Sequence, residues 1–174
     1  VMGLEHARLD MGEYRTAVPD FLKEIVAEIT RLARNSPDVS QRSGVSVRVS
    51  VSNYETVLAN ALRRAIRTGE QDVVPRISDL PFIVSSMQGK VEFEAFEEGR
   101  EEQILGHFVE EAVKEVFTRI VDLDSLEPVI AAFESGAKVD VGESVPSGAY
   151  SEMQQSIDGL GDAVTRLVPE GNAS

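Results

Sequence analysis

Ile104, Leu105, Phe108, Val109, Ala112, Val113, Val116, Phe117, Ile120 and Val121 fall on one side of a helix. The stripe runs for about five turns. It predicts a helix over roughly residues 98–121, the strongest in the chain. Glu110/Lys114 and Glu115/Arg119 stand at i,i+4 on its outer face, spacings that add roughly 0.2–0.5 kcal/mol each in an isolated helix. Weaker versions of the same period recur elsewhere. Phe21, Leu22, Ile25, Val26, Ile29, Leu32 and Ala33 form a stripe that opens at Pro19 and stops at Asn35-Ser36-Pro37. Tyr54, Val57, Leu58, Ala61, Leu62, Ala65 and Ile66 form another, which Gly69 can close.

Two stretches read less simply. Val45, Val47, Val49 and Val51 alternate as a strand would, yet they run directly into the Tyr54 stripe. Ser52-Asn-Tyr-Glu55 fits a capping box at the start of that helix. A start one turn or more earlier, near Ser46 with the valines packed, is the reading preferred. Lys90–Phe96 also alternates, with no evident partner strand. Further helices are expected at Ile77–Met87, Leu126–Glu134, Ala149–Ser156 and Leu160–Leu167, with residues 1–17 as a connection. The expected fold class is therefore mainly α, with at most minor β.

The 174 residues, 42% hydrophobic and 27% charged, suit one domain or two small ones. Charge divides them. Up to Met87 there are 11 acids and 11 bases; from Gln88 onward there are 19 acids and 6 bases, so the second region carries the whole net charge of −13. Two regions are expected, 1–87 and an acidic helical extension, 88–174. Nucleic acid and anionic membrane both bind through Lys/Arg neutralisation, and neither is an expected partner. No apolar run is long enough for a bilayer, and no basic flank precedes an apolar segment at the start. Cysteine is absent, which excludes disulfides and thiolate metal sites and fits a cytoplasmic location. The opening Val1 suggests a fragment.

Several chemistries have no support. A phosphate-cradling G-x-x-x-x-G-K-[ST] string is missing, as is an apolar strand ending in paired acids for magnesium. His6 and His107 lie far apart, without a second histidine at i+3 or i+4. The pairs Glu97/Glu98, Glu101/Glu102 and Glu110/Glu111 are helix neighbours diverging by about 100°, so they rarely share one ion. No metal site and no catalytic residue is expected, and nothing marks either histidine as the base of a serine triad.

What remains is cationic. Arg42, Arg48, Arg63, Arg64, Arg67 and Arg76 fall within 35 residues. Arg63 and Arg67 are expected on the helix face opposite the apolar stripe, with Arg64 and Asn60 beside them, as solvated residues pairing with nearby acids. Arg48 stands after a Gly-containing turn at a helix N-terminus, where anions are already favoured. Its planar fork matches phosphate or carboxylate in two parallel bonds.

The stretch Gln41-Arg-Ser-Gly-Val-Ser-Val-Arg48, continued to Ala65, resembles the lid of the magnesium chelatase family of AAA+ ATPases, closest to the bacterial magnesium-chelatase-I-like proteins. Val18-Pro-Asp-Phe-Leu22, Pro75-Arg-Ile-Ser-Asp-Leu80, Phe133-Glu-Ser-Gly136 and Pro146-Ser-Gly-Ala-Tyr150 extend the likeness. The resemblance implies an AAA+ lid-type helical bundle followed by the acidic extension. It implies ATP and Mg2+ as cofactors of a full-length protein, bound by a P-loop domain upstream of Val1. An oligomeric ring and a von Willebrand A-type partner protein are also implied. Within the family, a Ser-x-Arg carries the sensor 2 arginine that reaches ATP phosphate. Ser46-Val-Arg48 matches it, so Arg48 is the expected nucleotide-sensing residue and Arg42 the reserve. The segment alone would not hydrolyse ATP. Two other readings stand beside this one: the lid of a MoxR-type AAA+ chaperone, and a self-standing helical module whose arginines grip an acidic partner.

Overall fold

In the computed structural model, which describes residues 12–94 and 99–167, the first stripe forms helix α1 (Asp20–Asn35). Pro19 caps it at φ −59°, where its missing N–H has no intrahelical role. Leu22, Ile25, Val26, Ile29 and Ala33 recur every third or fourth residue and are buried. Asp20 in the first turn and Arg34 in the last complement the helix dipole.

Helix α2 (Val47–Thr68) begins at the earlier of the two expected starts. Ser46 is the cap, its Oγ accepting the Arg48 N–H at 3.2 Å, and Ser52 lies inside the helix. The valine alternation resolves physically. Val45 and Val49, four apart, are buried, whereas Val47 is 58% exposed, which is helical spacing rather than a strand's. Gly69 ends α2 at φ 71°, a left-handed conformation that a side chain would strain.

A short pairing closes the α1–α2 unit. Strand β1 (Arg15–Thr16) lies parallel to β2 (Asp72–Val73), so residues 14–17, expected as plain connection, are held to the segment after α2. A 3-10 turn (Ile77–Phe82) leads into α3 (Ile83–Met87), matching the helix expected there. The Lys90–Phe96 strand is not formed among the described residues. Val39 and Phe93 make one isolated antiparallel bridge, with Ser40 N–H donating to Glu92 O at 2.8 Å and Glu94 N–H to Asp38 O at 2.9 Å. Its partner is the chain just past α1, and residues 95 and 96 lie outside the described residues.

Helix α4 (Arg100–Ile120) buries Leu105, Phe108, Val109, Ala112 and Val116. The expected i,i+4 ion pairs on its outer face do not form. Glu115 meets Arg31 of α1 at 2.9 Å, Arg119 faces Glu24 of α1 at 3.6 Å, and Lys114 turns to Glu111 at 3.4 Å. Helix α1 packs along α4 and offers opposite charges that an isolated helix would lack. A second 3-10 turn (Leu123–Leu126), α5 (Glu127–Glu134), α6 (Ser147–Ser156) and α7 (Leu160–Leu167) follow, close to their expected limits.

The architecture is mainly helical, as expected. One hydrophobic cluster takes Ile25, Ile29, Val57, Leu80, Ile83, Met87, Val91, Leu105 and Ala112 from α1, α2, α3, α4 and the chain between them. The change in charge at Met87/Gln88 therefore falls inside a shared core, with α4 packed on α1. Among the described residues no helix is long and apolar enough to cross a membrane.

Candidate functional site

The turn before α2 is tied down by hydrogen bonds. Gln41 Nε2 donates to the carbonyls of Arg34, Ser36 and Val39 at 3.1, 3.2 and 3.1 Å, stapling the turn to the end of α1. Arg34 Nε donates to Val45 O at 2.9 Å from below, and Ser43 Oγ bonds Glu92 Oε2. Gly44 takes φ 63°, which reverses the chain into the Ser46 cap. On this platform Arg42 sits in the turn and Arg48 in the first turn of α2, both exposed. Neither side chain makes an ion pair or hydrogen bond with the described residues. Two free guanidinium groups thus flank a helix N-terminus whose partial positive charge has the same sign.

The other arginines are committed. Arg64, expected on the solvated face, is 4% exposed instead. Its Nη1 donates to Asp79 Oδ1 at 2.5 Å and its Nη2 to Val74 O at 2.5 Å. Asp79, itself wholly buried, also accepts from Asn60 Nδ2 at 2.7 Å and from the Arg76 N–H at 2.7 Å. This is a structural knot tying α2 to the 3-10 turn. Asn60 and Arg64 stand four apart on the buried side, the one sequence signal that could have revealed it, but Asp79 is fifteen residues beyond Arg64.

Arg63, Arg67 and Arg76 form a second cationic face, at the far end of α2, and the chain's own acidic region lies against part of it, leaving the Arg63 and Arg67 side chains 58% and 47% exposed. Arg67 Nη2 donates to both Glu143 O and Glu143 Oε2 at 2.9 Å. Arg63 donates to Asn60 Oδ1 at 2.7 Å, lies 5.2 Å over the Phe82 ring and approaches Glu143 Oε1 at 3.9 Å. Arg76 donates to Val145 O at 2.8 Å, Gly142 O at 3.3 Å and Ser147 Oγ at 3.0 Å, with its guanidinium 4.7 Å from the Tyr150 ring. The Arg67 hydrogen bond, reinforced by the charges of Arg67 and Arg63, holds the Glu143 carboxyl below its usual value. Burial pushes Glu70 upward, but hydrogen bonds from Thr68 and Ser147 and the charge of Arg76 leave its pKa lowered overall.

His107 is exposed, beside the buried face of α4, in an open groove of about 490 Å³ with Leu32, Asp38 and Ile104. No group of three potential metal ligands occurs among the described residues. His6, Glu97 and Glu98 lie outside them.

Compared with family models, with curated proteins and with solved structures, the chain matches none.

Proposed function

We propose that this chain is the nucleotide-sensing lid and C-terminal extension of a magnesium-chelatase-like AAA+ ATPase, which couples ATP hydrolysis to metal insertion or protein remodelling. The observation that carries the reading is the state of Arg48. Its guanidinium is exposed in the first turn of a 22-residue helix, behind a serine cap and without a counter-charge among the described residues. In a chain of 30 acids and 17 bases, an arginine free of carboxylates keeps its fork available to an external anion.

In this reading a P-loop domain holds ATP and Mg2+, and Arg48 meets the phosphates from the lid. Loss of the γ-phosphate removes charge from the Arg48 fork, and the lid moves relative to its neighbour. Arg42, across the Gly44 turn, supplies a second cation at the same edge. The platform beneath them fixes the direction of approach, because Gln41, Arg34 and Ser46 hold the turn by hydrogen bonds at both ends.

The test is Arg48→Ala in the full-length protein. ATP turnover is expected to fall at least tenfold, about 1.4 kcal/mol of barrier. Arg67→Ala, at the opposite end of α2, serves as control and should leave turnover within about twofold. Unchanged turnover in the Arg48 variant removes the residue from the nucleotide site and with it the lid assignment.

A further inference from the structure

Within α2, Arg63 and Arg67 lie fifteen and nineteen residues beyond Arg48, about 22 and 28 Å along the helix axis, and Arg76 follows after the helix. It is therefore separate from the edge assigned to nucleotide. We infer that this face binds an acidic protein segment presented as a turn followed by a helix start, a place taken here by the chain's own residues 142–150.

The covering segment is read in a way that defines its ligand. Arg76 takes two main-chain carbonyls, Gly142 O and Val145 O, at the two ends of a turn that the Val145 N–H closes onto Gly142 O at 3.3 Å. Between them, Arg67 selects a carboxylate by binding both the side chain and the main chain of Glu143. Glu70 accepts the Ser147 N–H at 2.7 Å, one of the free donors at the start of α6, which fixes the direction of the segment. An aromatic ring three residues later, Tyr150, stacks under the Arg76 guanidinium. The recognised pattern is thus carbonyl, carboxylate, carbonyl, N–H and ring, along Gly142-Glu-Ser-Val-Pro-Ser-Gly-Ala-Tyr150. Residues 139–150 carry Asp140 and Glu143 and no base, opposite in sign to the three arginines they touch.

The cover is also held mainly by exchangeable contacts. Glu143 is about a third exposed, Val141 is 70% exposed, and no residue of 139–150 is fully buried. Exposed ion pairs of this kind hold weakly, because water competes for both charges. A competing segment with the same chemistry gains the same bonds, while Phe82, 36% exposed beside Arg63, supplies an apolar contact at the rim.

The experiment uses the whole chain. A fluorescent peptide with the sequence of residues 139–150 is titrated, by anisotropy, into the wild type and into a Glu143→Ala/Tyr150→Ala variant whose cover is weakened. The variant should bind at least tenfold more tightly than the wild type, and adding Arg67→Ala should remove the gain. Circular dichroism establishes that each variant keeps its helices. Equal affinity for wild type and variant overturns the inference, as does binding that survives Arg67→Ala. Dimerisation of the variant without peptide binding, seen by light scattering, overturns it too, since the segment would then be an element exchanged between copies.

Discussion

Six arginines within 35 residues have three different fates, decided by what each meets in space. Arg64 enters the interior because Asp79 waits there, and Asp79 accepts three donors, from Arg64, Asn60 and the main chain of Arg76, while Val74 O accepts the second bond of the guanidinium. Breaking a buried charge pair from one side leaves the other ion uncompensated, at about 3–5 kcal/mol. Asp79→Ala should therefore lower unfolding stability by about 3–5 kcal/mol in urea titration. Glu143→Ala, on the surface, should leave the urea midpoint nearly unchanged. Equal losses from the two variants would show that the Asp79 knot is not a structural anchor. The sequence displayed the arginines but not these fates. Arg64 and Arg63 are chain neighbours of the same chemistry, and the acid that separates them lies fifteen positions away from Arg64. The position of Arg48 at a helix start was legible, because a serine after a glycine turn and ahead of the packed valines marks a cap within a few residues.

Elements follow the same division between local and distant causes. Helices α1, α2, α4 and α7 were readable because their stripes and stops are local, and the start of α2 followed once the valines were treated as packed rather than paired. The β1–β2 ladder and the Val39–Phe93 bridge were not, since each joins segments more than fifty residues apart that lack any strand-length alternation on one side. Ion pairing shows it again: α4 turns Glu115 and Arg119 toward α1 instead of toward each other. A consequence is testable at the α1–α4 contact. The Arg31 hydrogen bond lowers the pKa of Glu28 from its ordinary 4.5, outweighing the upward push of burial. A lowered carboxyl pKa contributes stability that is complete above 4.5 and is lost as pH falls through the folded value. Thermal stability should thus decline on acidification below 4.5, and Glu28→Gln should flatten that decline. An unaltered acid slope in the variant would remove Glu28 from the linkage.

At the scale of the molecule, burial is uneven. Helices α1 to α4 share the principal core, whereas among the described residues beyond Val121 only Ile157 and Ala163 are buried. Elements with few buried contacts open at lower free energy than those in a core. Amide hydrogen exchange should be fastest in α5 and α6 and slowest in α1 and the central turns of α2 and α4. Comparable protection throughout would contradict the packing. The acidic composition from Gln88 onward marked a chemical boundary, and the packing boundary lies later, after α4. Composition reports charge, whereas a core is assembled from apolar stripes, and the stripe of α4 belongs with that of α1.

The two-residue ladder between β1 and β2 has a mechanical meaning. Tension applied through the residues that precede Arg15 would arrive first at Asp72 and Val73, a few positions from Arg76 and Asp79, and would bypass the body of α1. The Arg15–Asp72 ion pair and the parallel hydrogen bonds would be loaded along the strands, so they would share the strain before yielding. A tug on that end would therefore be felt beneath the Arg76 grip on the acidic cover.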